Sequence, residues 1–134
     1  MTTFGGSRSL LFPAGEDSAA GDLATSESGP IVLYCDLAVD PKREQEMLHR
    51  FYQDFKPAAQ KFDGFIDVKM LKLRTVIHGG PPPAATINYR FQLTYQSEAK
   101  RQLWIASEVH GKVWPLIEDT LTDNGYLVLL TDSK

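Results

Sequence analysis

The stretch YRFQLTYQSEAKRQLWIASEVHGKVWP, residues 89–115, decides the fold. It opens with strict alternation. Tyr89, Phe91, Leu93 and Tyr95 fall on one side of a strand, and Arg90, Gln92 and Thr94 on the other. At Ser97 the spacing changes to that of a helix. Ser97 is suited to cap it, and Glu98 stands well against its positive end. Leu103, Ala106, Val109, Val113 and Ile117 then form an apolar stripe, with Trp104 at its margin. This spacing predicts one helix to about Leu121, disturbed at Gly111 and Pro115, where a glycine and a proline weaken helical bonding. The turn signal DNG (123–125) ends it.

Working outward, YLVLLTD (126–132) reads as a closing strand, and the strand through 89–95 extends to TINYRFQLTYQ (86–96). HGGPPPAA (78–85) is a turn and polyproline connector. FIDVKMLKLRTVI (65–77) is a strand whose Lys69, Lys72 and Arg74 suit a sheet edge. GPIVLYCDLAV (29–39) is apolar on both faces, as a central strand is. Between these two, Asp40-Pro41 pairs an N-cap with proline at the first helical position. Met47, Leu48, Phe51, Tyr52, Phe55, Ala58, Ala59 and Phe62 follow as one wide stripe. Pro57 predicts a kink or break near 55–57, and Asp63-Gly64 ends the helix.

The resulting order is β-α-β-β-α-β. It predicts an α+β, ferredoxin-like domain over residues 30–134, with an antiparallel four-stranded sheet and two helices on one face. Two helices cover one face only. The other would leave a large apolar surface, so a homodimer with sheets packed face to face is expected. Residues 1–29 are rich in Gly and Ser, lack periodicity and read as a flexible leader.

Charge and composition exclude several classes. Residues 1–29 carry Arg8 against Glu16, Asp17, Asp22 and Glu27, a balance of -3 within a total of -3, so the body is neutral. A neutral body without a basic stripe argues against nucleic acid or an anionic membrane as partner. No apolar run approaches the roughly 20 residues of a membrane span, and the N-terminal LLF is too short for a signal-peptide core. One cysteine, Cys35, excludes an internal disulfide and fits a cytoplasmic setting. His49, His78 and His110 lack metal-ligand spacing. HGGPPP is not a phosphate loop, and there is no serine nucleophile elbow.

The segments 36–74, 89–115 and 126–132 together resemble the antibiotic biosynthesis monooxygenase family, over roughly residues 30–132. The features that carry the resemblance are proline in the first helix, Gly64-Phe65 opening the second strand, and Ser97, Ser107 and His110 along the second helix. The resemblance implies a dimeric α+β barrel. It also implies cofactor-independent oxygenation of quinol-type aromatics in some members, haem degradation in others, and further roles elsewhere. The haem-degrading branch places Asn on the first strand and Trp at the end of the third. Here Cys35 and Tyr95 stand at those places, which argues against haem degradation. Trp104 stands where many oxygenase-like members carry histidine, so His110 is the histidine retained.

Oxygenation of this kind needs a base, a dry apolar pocket and hydrogen-bond donors for a phenolate. The expected pocket lies between helices and sheet. Cys35, Tyr89, Phe91, Tyr95 and Trp104 would bind substrate, and His110 would act as the base, with no metal and no cofactor. The bland alternative makes the tyrosines, Phe91 and Trp104 plain core, His110 a half-exposed helix residue, and Cys35 a small buried hydrophobe. Trp114, beside Pro115, is expected to seal the dimer or the helix break. Asp36 and Arg90 share the central strands and are expected to form an ion pair. A non-catalytic barrel that binds a small hydrophobic ligand, or serves assembly alone, stays open beside the enzyme.

Overall fold

The computed structural model of the chain describes residues 29–80, 86–123 and 125–134. The leader expected over 1–29 thus lies outside the described residues except for Gly29, as does the end of the polyproline connector. Four strands form one sheet: β1 (Ile31–Leu37), β2 (Phe65–Lys72), β3 (Tyr89–Tyr95) and β4 (Leu127–Asp132). Their order is β2-β3-β1-β4, with every neighbouring pair antiparallel. This is the ferredoxin-like arrangement that the sequence predicts. β1 is central and β2 an edge, as their apolar and lysine-bearing patterns require.

The pleat divides the sheet into two faces. Ile31, Leu33, Cys35 and Leu37 of β1 and Tyr89, Phe91, Leu93 and Tyr95 of β3 are buried beneath the helices, with Val68 and Met70 of β2 beside them. The open face carries Tyr34, Asp36, Arg90, Gln92 and the exposed Leu127 and Leu129. The expected ion pair is present there. Arg90 donates from Nε to Asp36 Oδ1 at 2.7 Å and from Nη2 to Oδ2 at 3.1 Å, and lies over the Tyr34 ring at 4.9 Å.

β2 ends at Lys72, short of the expected Ile77. The physical reason is that its partner strand β3 begins only at Tyr89, which pairs with Lys72. The Asn88 side chain instead ties the backbone of Val39 past the end of β1, accepting from Val39 N at 2.8 Å and donating to Val39 O at 2.9 Å. One more bond, Leu73 N to Asn88 O, closes the β2–β3 ladder.

The first helical segment changes type as it runs. A 3-10 turn (Pro41–Arg43), capped by the Asp40 side chain, leads into α1 (Glu44–Arg50). A π turn (Phe51–Phe55) follows, and then α2 (Lys56–Gln60). Pro57 cannot donate to the carbonyl one turn back and its ring crowds that turn. The wider π turn, with Lys56 N bonded to Phe51 O, absorbs the misfit without a break. Met47, Phe51, Phe55 and Ala59 are buried, as the stripe predicts, but Tyr52 is exposed and lies under the Lys56 ammonium. Gly64 then takes φ +94° at the turn into β2, and a Cβ there would meet Lys100 at 2.7 Å.

The second helical segment departs from expectation. It is two helices, α3 (Glu98–Ala106) and α4 (Glu108–Glu118), separated at Ser107, whose ψ of 152° is extended. Gly111 and Pro115 lie inside α4 without interrupting it. Ser107 is both stop and start. Its hydroxyl donates to Trp104 O at 2.7 Å and accepts from His110 N at 3.1 Å. An N-cap in mid-helix resets the helical phase, so the expected stripe fails at Leu103, Ala106 and Val109, while Ile117 is buried and Val113 packs on the core. Leu103 is 63% exposed and Val109 43%, while Trp104 is wholly buried. Among the described residues, no helix is long and apolar enough to cross a membrane.

Candidate functional site

The buried residues of α3 are Glu98, Arg101 and Trp104, three apart and therefore on one face. Two of the three are charged. Arg101 donates from Nε and Nη2 to the two carboxylate oxygens of Glu98, each at 2.7 Å, and Gln102 adds a bond to the same carboxylate at 2.9 Å. Arg101 is 5% exposed and Glu98 7%. Buried charges persist only when paired in this way.

Trp104 leads from this pair to His110. The Trp104 and His110 rings meet edge to face at 5.2 Å, and His110 lies nearly parallel to Trp114 at 6.4 Å. Trp104 also packs on Phe55 and Phe62, and Trp114 on Phe55 and Phe91. Trp114 is thus an interior wall rather than a seal of the dimer or of a helix break: in α4, which runs through Pro115 unbroken, it falls one turn beyond His110 and packs on Phe91 of β3. Its Nε1 donates to Tyr126 Oη at 3.1 Å, and Tyr126 donates to Glu118 Oε2 at 2.7 Å. Burial, with the Glu118 bond second, pushes the Tyr126 phenol well above its ordinary range.

The electrostatics follow from burial. His110 is half-buried, and its ring nitrogens have no hydrogen-bond partner among the described residues. Desolvation, assisted by the positive charge of Arg101, lowers its pKa from 6.5 to about 4, so the imidazole is neutral at pH 7. Burial raises the Cys35 thiol to about 12, although Arg101 pulls the other way. Cys35 is therefore a protonated thiol and no nucleophile. Arg101 acts electrostatically on both groups.

The expected site residues separate into two sets. Cys35 and Phe91 are paired across β1 and β3, beneath the helical layer that carries Trp104 and His110. Tyr89 and Tyr95 stand at opposite ends of β3, about 20 Å apart by strand rise. The Tyr89 hydroxyl donates to Glu44 Oε2, which Lys72 also holds. Tyr95 packs on Phe65, and its hydroxyl is the one fully buried side-chain polar atom without a partner among the described residues. One small ligand does not reach both tyrosines together with Trp104. Sequence reasoning missed Arg101, Glu98, Tyr126 and Glu118. The available signal was Ser107-Glu108, a cap followed by an acid inside the supposed helix. No group of three or more His, Cys, Asp or Glu among the described residues could hold a metal ion.

No protein-family model matches the chain, and no curated protein does. Solved structures do. A candidate antibiotic biosynthesis monooxygenase from Caulobacter crescentus superposes with a TM-score of 0.66 at 12% identity, over 85% of this chain and 98% of that one. A dimeric ferredoxin-like protein of unknown function from Jannaschia gives 0.65 at 12%, over 78% and 100%. SnoaB, a cofactor-independent oxygenase from Streptomyces nogalater, gives 0.62 at 10%, over 80% and 95%. The chain therefore has the fold of the antibiotic biosynthesis monooxygenases and of dimeric ferredoxin-like proteins. At these identities the likeness is one of fold.

Proposed function

We propose that this chain is an oxygenase of small aromatic quinol-type molecules that uses no resident cofactor. The observation that carries this reading is His110, a neutral imidazole without a partner among the described residues, set between Trp104 and Trp114 on a fold shared with SnoaB. For an anthrone, His110 accepts a proton and leaves a resonance-stabilised anion between aromatic walls. That anion passes an electron to dioxygen. The resulting radical pair combines into a peroxide anion, which the His110 imidazolium protonates on its outer oxygen, and the hydroperoxide so formed loses that OH and the remaining C–H hydrogen as water. The net change is anthrone plus O₂ giving anthraquinone plus H₂O, with the substrate supplying all the electrons. His110 returns the proton to the departing oxygen.

The magnitudes set a condition. Moving a proton from an ordinary phenol to an imidazole at about 4 is uphill by roughly 8 kcal/mol, taking a phenol pKa of ~10 and ~1.4 kcal/mol per unit. The site must therefore stabilise the oxyanion as well as accept the proton.

The test is oxygen uptake with a panel of anthrones and hydroquinones and no added cofactor. Uptake above the buffer rate that falls tenfold or more in His110→Ala, about 1.4 kcal/mol of barrier, supports the reading. Uptake unchanged in His110→Ala would remove His110 from the chemistry.

The exposed Leu127 and Leu129 and the buried Asp36 of the open face support a homodimer with that face covered. Light scattering is expected to give about twice the 15.0 kDa chain mass, and Leu129→Asp to shift it towards one chain. A monomeric wild type would end the barrel reading. One observation favours a second, non-catalytic reading. Phe55, Phe91, Trp104 and Trp114 pack mainly on one another, as core aromatics do. A barrel that binds a small hydrophobic ligand or serves assembly would show no uptake with any compound on the panel.

A further inference from the structure

Arg101 has a use beyond pairing with Glu98. A buried ion pair is weak evidence for stability, since apolar residues of similar volume often replace one without loss. Here the pair sits on the interior face of α3, one turn before Trp104, whose ring meets His110 at 5.2 Å. Glu98 and Gln102 fix the guanidinium from one side. Nε and Nη2 are taken by the carboxylate, and Nη1 has no partner among the described residues. The arrangement is a cation held rigid by a bidentate clamp, with one nitrogen left to donate.

Resting on the reading that this interior takes a small aromatic molecule, we infer that Arg101 Nη1 binds an anionic oxygen of that molecule, which makes the site selective for acidic aromatics, phenolate or carboxylate, over neutral ones. The clamp explains why a charged pair lies on the face that also bears Trp104. Glu98 lowers the cost of burying the guanidinium without occupying its whole fork. Arg101 holds the oxygen, and the half-buried His110, whose ring meets the wholly buried Trp104 at 5.2 Å, faces the same ligand from the first turn of α4. Arg101's field also lowers both the His110 and the Cys35 pKa, so its charge is felt at both groups. It supplies the oxyanion stabilisation that a weakly basic His110 requires.

The test uses matched probes and binding alone. Wild-type chain is titrated calorimetrically at neutral pH with 1-naphthoate and with 1-naphthalenemethanol. The expected result is about a tenfold or greater preference for the carboxylate, the scale of one charge-assisted hydrogen bond. Arg101→Met alone strands Glu98 and is expected to fold poorly. The deciding variant is therefore the double Arg101→Met/Glu98→Leu, with its fold checked by circular dichroism. It is expected to bind the two probes equally. Equal binding by the wild type, no binding of either probe, or a preference that survives in the folded double variant would each overturn the inference. If the preference is present and no compound supports oxygen uptake, the oxygenase reading falls and the anion site stands.

Discussion

Between Pro41 and Gln60 the chain keeps one buried stripe through a change of helix type. Between Glu98 and Glu118 it breaks at Ser107 and turns a different face inward. Both segments contain an interior proline, Pro57 and Pro115, yet neither breaks its segment. Pro57 is absorbed by the π turn, and Pro115 lies inside α4. A serine of ordinary appearance makes the break, because its hydroxyl satisfies a carbonyl behind it and an amide ahead of it. A missing donor can be accommodated by rewinding one turn. A competing cap offers the backbone another conformation altogether.

The largest expected effect tests which face of α3 is inside. Trp104→Ala should cost about 3–5 kcal/mol in urea unfolding, as for other buried aromatics. Leu103→Ala, on the stripe that the sequence pattern favours, should cost within about 0.5 kcal/mol, as for exposed positions. Equal losses would mean that both faces of α3 are packed.

An intermediate effect tests the break itself. Ser107→Ala removes the cap of α4 and should cost about 1 kcal/mol. Ser107→Asp, which can still accept from His110 N, should recover part of it. If Ser107→Ala instead stabilises the chain, a continuous helix competes with the broken one.

The smallest effect at neutral pH concerns His110. Its folded pKa of about 4 lies below the ordinary 6.5. The unfolded chain therefore takes up a proton near 6.5 that the folded chain refuses until about 4. Its contribution is complete above that upper value and is lost progressively as the pH falls towards the lower one. His110→Gln should flatten this part of the curve in urea midpoints taken at intervals from pH 7.5 to 4.5. The first helical segment supplies the contrast. Hydrogen bonds from Lys72 to Glu44 and from Arg43 to Glu46 hold these carboxyls below their ordinary range, so their contributions persist through that window. A curve that is unchanged in His110→Gln would place the histidine in water.

Much of the fold was legible because its signals are local and agree with one another. The alternation of Tyr89 to Tyr95 and the double-faced apolar run of β1 each specify a strand, and Asp40-Pro41 and Ser97 specify helix starts. Their order then leaves few topologies. The site was less legible. His110 and Trp104 were visible as residue types in a plausible place. Tyr89 and Tyr95 were grouped with them because period 2 shows which face a residue is on and not how far along the strand a ligand reaches. Arg101 and Glu98 were hidden because a charged pair three apart on a helix reads as a solvated face.

The sequence by itself determined the elements, their order, the central place of β1 and the lysine-bearing edge at β2, since backbone preferences and hydrophobic period act over a few residues. Tertiary structure alone decided that α3 turns Arg101, Glu98 and Trp104 inward. Burying that charge is tolerated only with both partners in place. The same packing holds His110 neutral between two tryptophans, because desolvation is a property of what surrounds a group and not of its neighbours along the chain.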